Sequence, residues 1–139
     1  MNIKIYENEG LFGGENLYEK ADCCLLVYDI TNKNSFDKCK HFYNNNIKEK
    51  CKKNIKVILL GNKTDLEDKR QVIYEEAVDF AYENNYIYME SSCLENENVS
   101  EAFETLIGIN DDDAKKTPKG NYILKVKKHN KSLNKYLSC

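Results

Sequence analysis

Apolar residues fall into short, nearly continuous runs at three places in this 139-residue chain. The runs are Cys23–Tyr28, Ile55–Leu60 and Tyr86–Met89, and each has the length of a β-strand. The first is apolar throughout, as expected of a strand that is covered on both faces. A further segment, Asn2–Tyr6, alternates in polarity, which is typical of a half-buried strand. The pattern therefore predicts four strands.

Between these runs, apolar residues recur every three or four positions, the spacing of amphipathic helices. The predicted helices are Phe36–Ile47, Tyr74–Asn84 and Val99–Ile107. Asn34 is the predicted N-cap of the first helix, and the Asn- and Lys-rich residues 44–53 are predicted as its frayed end and a solvated loop. The second helix begins after Ile73, which has no capping side chain. Strands that alternate with helices indicate an α/β fold.

Polar residues follow Ile55–Leu60 at once, in the sequence G-N-K-T-D at 61–65. In a parallel sheet, ligands bind at the carboxyl ends of the strands. The carboxylate of Asp65 can accept two parallel hydrogen bonds from N1 and N2 of guanine, whereas adenine presents an acceptor at that edge. The stem of Lys63 can lie over the base, and the amide of Asn62 can bridge N7 and neighbouring loops. By themselves, these residues also fit a plain polar turn after a strand.

Three segments resemble the Ras-like small GTPases, in particular their Rab branch. They are L-L-V-Y-D-I-T-N-K-N-S-F at 25–36, G-N-K-T-D-L-E-D-K-R-Q-V at 61–72 and E-S-S-C-L-E-N-E-N-V-S-E-A-F at 90–103. The resemblance runs from about Ile3 to Leu106. It implies a P-loop NTPase-like (Rossmann-like) α/β fold, with a mostly parallel sheet between flanking helices, that lacks the family's first two strands and first helix. It also implies a partial small GTPase domain at 1–109 and a flexible lysine-rich tail at 110–139.

The resemblance assigns further residues to the base. Ser92, Cys93 and Leu94 align with the family's Ser-Ala-Lys loop, in which the main-chain N–H of the second residue donates to guanine O6. Cys93 can supply the same N–H, because any residue other than proline carries one. Leu94 lacks the polar group of the lysine. The implied nucleotide-binding residues are therefore Asn62, Lys63, Asp65 and this loop.

The phosphate side of the family site is less complete. Gly10 aligns with the glycine that senses the γ-phosphate, and Glu7 with the aspartate that reaches Mg²⁺ through water, but its extra methylene displaces the carboxylate. Leu11 stands at the position of the glutamine that orients the attacking water. The sequence contains no G-x-x-x-x-G-K-[ST] segment. We therefore expect weak or no binding of GTP and GDP, with Mg²⁺ as the family's cofactor, and no GTP hydrolysis by this polypeptide alone.

Two functions remain open at this point. The first is a truncated Rab-type GTPase of vesicle traffic, whose partners by resemblance are guanine nucleotide and Rab effectors and regulators. The second is a catalytically inactive Rab-like interaction module with little or no nucleotide binding. The intact Asn-Lys-x-Asp sequence favours the first, and the departures at Glu7, Leu11 and Leu94 favour the second.

The charges are divided along the chain. Residues 1–114 carry 13 Lys and Arg against 23 Asp and Glu, a net of −10, whereas residues 115–139 carry 8 Lys and no acid, a net of +8. The tail ends in Cys139, which matches a Rab prenylation site by resemblance, and the lysines would add attraction to an anionic membrane. An unmodified basic tail is the alternative. We expect a cytoplasmic protein, with contact to the cytosolic face of endomembranes if Cys139 is lipidated.

Other functions are disfavoured by composition. No folded nucleic-acid-binding module is predicted beside the lysine-rich tail, so nucleic-acid binding is not expected. Of the six cysteines, Cys23 and Cys24 are adjacent within an apolar run and Cys139 is terminal, which favours reduced thiols over a disulfide framework. The absence of a C-x-x-C pair argues against a structural zinc site. No apolar run approaches the roughly 18 residues that a membrane-spanning helix requires.

Overall fold

Three parallel strands in the order β1-β2-β3 form the centre of the structure. The computed structural model describes residues 21–51 and 53–108. The strands are β1 (Cys23–Asp29), β2 (Lys56–Asn62) and β3 (Ile87–Ser91). Each lies on a predicted apolar run and continues beyond it to a polar residue at its carboxyl end. The predicted strand Asn2–Tyr6 lies outside the described residues.

The three predicted helices are confirmed. They are α1 (Lys33–Phe42), α2 (Tyr74–Glu83) and α3 (Val99–Gly108), and a 3₁₀ helix (Thr64–Lys69) follows β2. The predicted N-cap Asn34 is wrong, because α1 begins at Lys33. Asn32 is the N-cap, with an extended backbone and a side-chain Oδ1 that accepts a hydrogen bond from the N–H of Ser35 at 3.3 Å.

The predicted fraying after α1 is also wrong. The chain continues through a π-helical turn at Tyr43–Ile47 and a further α-helical turn at Lys48–Lys50. Asn46 Nδ2 donates to the carbonyl of Phe42 at 3.3 Å, and Ile47 is only 3% exposed. Burial of Ile47 against the core stabilises helical structure in a segment whose composition does not favour it.

The sheet is covered on both faces, which confirms the three-layer α/β fold. Strand register places Leu26, Leu59 and Tyr88 in one row and Leu25, Ile58 and Ile87 in the next, on the opposite face. The first face packs against α1 and α2, and the second against α3. The core of the first face includes Leu26, Tyr28, Phe36, Leu59, Ala77 and Tyr88, and that of the second includes Ile58, Leu60, Met89, Ala102 and Leu106.

One position of β1 departs from the prediction that this strand is covered on both faces. Val27 is 49% exposed, although Leu60 and Met89 in the same row are buried. The α3 face is lined on β1 by Cys23 and Leu25. Among the described residues, those that cover this face of the sheet therefore do not extend over Val27.

The described cysteines are present as thiols. None of the five cysteines in residues 21–51 and 53–108 forms a disulfide. Burial raises the pKa of Cys24 to about 12, so its thiol stays protonated at neutral pH. Within the same residues, no helix has both the length and the apolar character that crossing a bilayer requires.

The start of α2 provides a test of helix capping. Ile73 occupies the N-cap with no side-chain hydrogen bond and is 62% exposed. We expect Ile73→Ser to raise the free energy of unfolding by about 1 kcal/mol, because the hydroxyl can accept a bond from a main-chain N–H of the first turn. Urea denaturation followed by circular dichroism measures the change. Ile73→Ala is the control, and a serine variant no more stable than the alanine variant would contradict the prediction.

Candidate functional site

Polar residues from all three strands meet at the carboxyl edge of the sheet. Asp29 of β1 is directly paired with Asn62 of β2, and Asn62 is directly paired with Ser91 of β3. Parallel strands end at the same side of a sheet, so the residues that follow each apolar run become neighbours. The segments after β2 and β3 start from this row.

Asn62 joins the end of β2 to the loop after β3. Its Oδ1 lies 3.3 Å from Ser91 Oγ and 3.3 Å from the main-chain N of Cys93, both of which donate to it. Because the Cys93 N–H can only donate, the oxygen of the amide must face it. These contacts fix the orientation of the Asn62 amide, and its NH₂ group is the donor that the side chain presents.

Asp65 lies in the first turn of the 3₁₀ helix and is held from the loop after β3. Ser92 Oγ donates to Asp65 Oδ1 at 2.6 Å. Ser92 is fully buried, and its hydroxyl accepts a bond from the N–H of Glu95 at 3.1 Å. Main-chain bonds in both directions between Ser92 and Glu97 fix the loop further. The carboxylate of Asp65 is therefore oriented by a rigid partner.

Lys63 turns the chain from β2 into the 3₁₀ helix. Its backbone is left-handed, with φ 72° and ψ 41°, which is costly for a residue with a side chain. Such strain is kept where surrounding contacts hold it, often at functional sites. Here Lys63 Nζ lies 2.7 Å from Asp29 Oδ2, while the Lys63 side chain stays 50% exposed. The ion pair ties the turn to the end of β1.

The carboxylate of Asp29 is stabilised in its charged form. Burial acts to raise its pKa, but hydrogen bonds from Lys63 and from the N–H and hydroxyl of Thr31 outweigh burial, so the pKa lies below its ordinary value of 3.8. A carboxyl with a lowered folded-state pKa stabilises the fold above its unfolded pKa. This contribution is lost as the pH falls through the folded-state pKa.

We therefore expect the free energy of unfolding to fall as the pH is lowered below about 4. Glu76 and Glu67 act in the same direction, because hydrogen bonds from Lys33 and Arg70 lower their respective pKa values. Urea denaturation at a series of pH values between 6 and 3 measures the effect. Asp29→Asn should flatten the profile, and an unchanged slope in that variant would contradict the role of Asp29.

The structure brings together five of the residues that the sequence assigns to the base. They are Asn62, Lys63, Asp65, Ser92 and Cys93. Leu94 is 82% exposed and, as a hydrocarbon side chain, takes no part in this hydrogen-bonded cluster. The predicted sites at Gly10, Glu7, Leu11 and Cys139 lie outside the described residues. Within the described residues, no group of three or more His, Cys, Asp or Glu side chains is arranged to hold a metal ion.

Four supporting residues were not among the predicted site residues. They are Asp29, Arg70, Glu90 and Ser91. Asp29 and Ser91 could have been found, because each lies at or just after the end of an apolar run, as Asn62 does. Glu90 directly follows the apolar run Tyr86–Met89 and carries the same signal. Arg70 gave no such signal, because it follows no apolar run and its contact with Glu90 joins segments that are distant in sequence.

The donors and acceptors of this edge suit a purine with two adjacent N–H groups. Asp65 supplies an oriented carboxylate, Asn62 an NH₂ group and Cys93 a main-chain N–H. A sequence model of the Ras family matches residues 13–110. The chain belongs to the Ras family. Its predicted membership is thereby confirmed.

Relatives of this Ras-family chain include Rab and Ypt proteins. GTP-binding protein ypt3 of Schizosaccharomyces pombe is 43% identical over 90 residues, which are 65% of this chain and 42% of that relative. Ras-related protein Rab-17 of Mus musculus is 40% identical over 89 residues, 64% of this chain and 42% of the relative. GTP-binding protein ypt2 of Schizosaccharomyces pombe is 42% identical over 89 residues, 64% and 44% of the two chains.

These matches confirm the Rab-like character that the sequence indicates. The chain spans about two fifths of the length of these curated relatives. GTPases of the Ras family bind GTP and GDP with Mg²⁺ and act with regulators and effectors, and Rab proteins are typically attached to membranes through lipidation.

Proposed function

We propose that this edge of the sheet recognises the base of a guanine nucleotide, as part of a Rab-like small GTPase. The hydrogen bond from Ser92 to Asp65 Oδ1 carries the proposal, because it presents the carboxylate in one orientation. Each carboxylate oxygen can accept two hydrogen bonds. Ser92 uses one of them, so both oxygens can still accept from N1 and N2 of guanine.

The neighbouring groups extend the same preference. The NH₂ group of Asn62 is the donor that the N7 acceptor of a purine needs, and the half-exposed stem of Lys63 offers an apolar surface to the face of the ring. The Cys93 N–H donates to Asn62 across 3.3 Å, which is a long bond. Its replacement by a bond to guanine O6 therefore costs little.

The expected affinity for the base alone is low. Hydrogen bonds to a charged group contribute about 1.5–3 kcal/mol each, so two such bonds to Asp65 supply about 3–6 kcal/mol. Immobilising a ligand costs about 4–15 kcal/mol. Binding of a nucleoside monophosphate is therefore expected to be no tighter than the millimolar range. Selectivity between bases is thus the decisive measurement, rather than affinity.

The test is a titration of the 139-residue polypeptide with GMP and AMP, followed by ¹⁵N NMR. We expect GMP to shift the amide signals of residues 62–65 and 92–95 and to bind about tenfold or more tightly than AMP. Asp65→Ala should abolish this preference. Asp68→Ala, which removes an exposed carboxylate from the same 3₁₀ helix, should keep it. Equal binding of GMP and AMP by the unaltered chain would overturn the proposal and favour an interaction module without nucleotide binding.

The wider role is proposed from family membership. It comprises vesicle-mediated membrane traffic, partners among Rab regulators and effectors, phosphate and Mg²⁺ contacts through Gly10 and Glu7, and prenylation of Cys139 in the tail at 110–139. Support comes from the Rab and Ypt relatives. Incorporation of an isoprenoid label into the unaltered chain but not into Cys139→Ser would test the lipidation. Label in neither protein would count against it.

A further inference from the structure

Arg70 uses every donor of its guanidinium group. Nε and NH2 donate to the two oxygens of Glu67 at 2.7 and 2.6 Å, and NH1 and NH2 donate to the two oxygens of Glu90 at 2.9 and 3.0 Å. The fifth N–H, on NH1, reaches the carbonyl of Val72 at 3.3 Å. The Arg70 and Glu90 side chains are only 16% and 19% exposed, so this pair is screened less than a surface ion pair.

The contacts of Glu90 continue into the centre of the sheet. Tyr88 Oη donates to Glu90 Oε1, and Tyr28 Oη lies 2.9 Å from Tyr88 Oη. Since the single proton of Tyr88 goes to the carboxylate, Tyr28 must be the donor between the two hydroxyls. Tyr28 Oη also lies over Gly61, where a Cβ would come within 2.8 Å of it. Both tyrosines are buried, and burial raises their pKa values, so both hydroxyls stay protonated at neutral pH.

These four residues, Tyr28, Tyr88, Glu90 and Arg70, form what we call the Tyr88 network. It joins the two segments that carry the proposed base contacts. Arg70 is the residue that directly follows the 3₁₀ helix holding Asp65. Glu90 lies on β3, two positions before the buried Ser92. Hydrogen bonds between Arg70 and Glu90 therefore link the end of the 3₁₀ helix that holds Asp65 to the strand that leads to Ser92.

We propose that the Tyr88 network positions Asp65 and Ser92 relative to each other and thereby sets the preference for the 2-amino group of guanine. Tyr88 holds the carboxylate of Glu90 and links it to Tyr28 of β1. Its hydroxyl can be tested by itself, because that group is the only part of the side chain that a phenylalanine lacks. A phenylalanine would fill the same volume but leave Tyr28 without an acceptor and Glu90 without one of its donors. The inference rests on the proposed guanine recognition.

The test compares GMP with IMP, which is the same nucleotide without the 2-amino group. The ratio of the two affinities does not depend on the fraction of protein that is folded, so a general loss of stability does not change it. We expect the unaltered chain to bind GMP about tenfold more tightly than IMP. Tyr88→Phe should lower this ratio at least about threefold. Arg70→Lys should do the same, because lysine keeps the charge but cannot donate two parallel hydrogen bonds to each carboxylate.

Tyr86→Phe is the matched control. It removes a buried tyrosine hydroxyl that has no hydrogen-bond partner in the described part of the chain, two positions from Tyr88. It should leave the GMP to IMP ratio within about twofold of the unaltered chain. A GMP to IMP affinity ratio that is unchanged in Tyr88→Phe and Arg70→Lys overturns the inference while leaving guanine recognition intact. An unaltered chain that does not distinguish GMP from IMP overturns both. Loss of cooperative folding in both variants would assign the network to folding, and would also overturn the inference.

Discussion

Replacement of Phe36 by alanine is expected to lower the free energy of unfolding by about 3–5 kcal/mol. Phe36 on α1 is 0% exposed, and its ring centroid lies 4.9 Å from that of Tyr28 and 5.9 Å from that of Phe80. The ammonium groups of Lys33 and Lys40 lie 5.2 and 4.6 Å from the same centroid. Truncation removes the contacts that join β1, α1 and α2, and it leaves a cavity between them.

Urea denaturation followed by tyrosine fluorescence and circular dichroism measures this loss. Small domains have net stabilities of about 5–15 kcal/mol, so the variant should lose a large share of its stability. Val27→Ala is the control, because Val27 is 49% exposed and its truncation should cost about 1 kcal/mol or less. Equal effects of the two substitutions would contradict the packing of α1 on the first face of the sheet.

Replacement of Asp65 by asparagine is expected to change the preferred base from guanine to xanthine. Xanthine keeps the N1–H of guanine but carries a carbonyl oxygen in place of the 2-amino group. An asparagine can accept from N1 through its oxygen and donate to that carbonyl through its NH₂ group, whereas with guanine two donors would face each other. The GMP to XMP affinity ratio should therefore change by at least about tenfold.

Titration of the variant with GMP and XMP measures the exchange. Asp68→Asn makes the same chemical change at an exposed position of the 3₁₀ helix and should leave the ratio unchanged. A variant at Asp65 that still prefers GMP would show that this carboxylate does not contact the N1 and N2 edge. Because the expected result is a gain of binding for one ligand, simple loss of folded protein cannot produce it.

Local pattern was sufficient for most of the secondary structure. Continuous apolar runs located β1, β2 and β3, and the spacing of Phe36, Cys39 and Phe42 located α1, since both signals depend only on neighbouring residues. The start and end of α1 were not predictable in the same way. Asn32 and Asn34 are equally good caps by composition, and the turn that contains Asn32 decides between them.

For the candidate site, the residues were predictable from the sequence but their contacts with one another were not. Asn62, Lys63 and Asp65 were predicted from their chemistry, and Ser92, Cys93 and Leu94 from the resemblance to the Rab branch. Neither source indicated that Ser92 would hold Asp65, or that Glu90 and Arg70 would join the two segments behind them.

The sequence by itself determined the alternation of strands and helices, the family and the candidate residues for base recognition. Only the tertiary structure decided how those residues face one another. Asp29, Asn62 and Ser91 become neighbours through strand register, and the orientation of Asp65 depends on a serine from another strand's loop. The physical reason is that propensity and motif act within a few residues, whereas hydrogen-bond geometry between distant segments exists only once the sheet has aligned its strands.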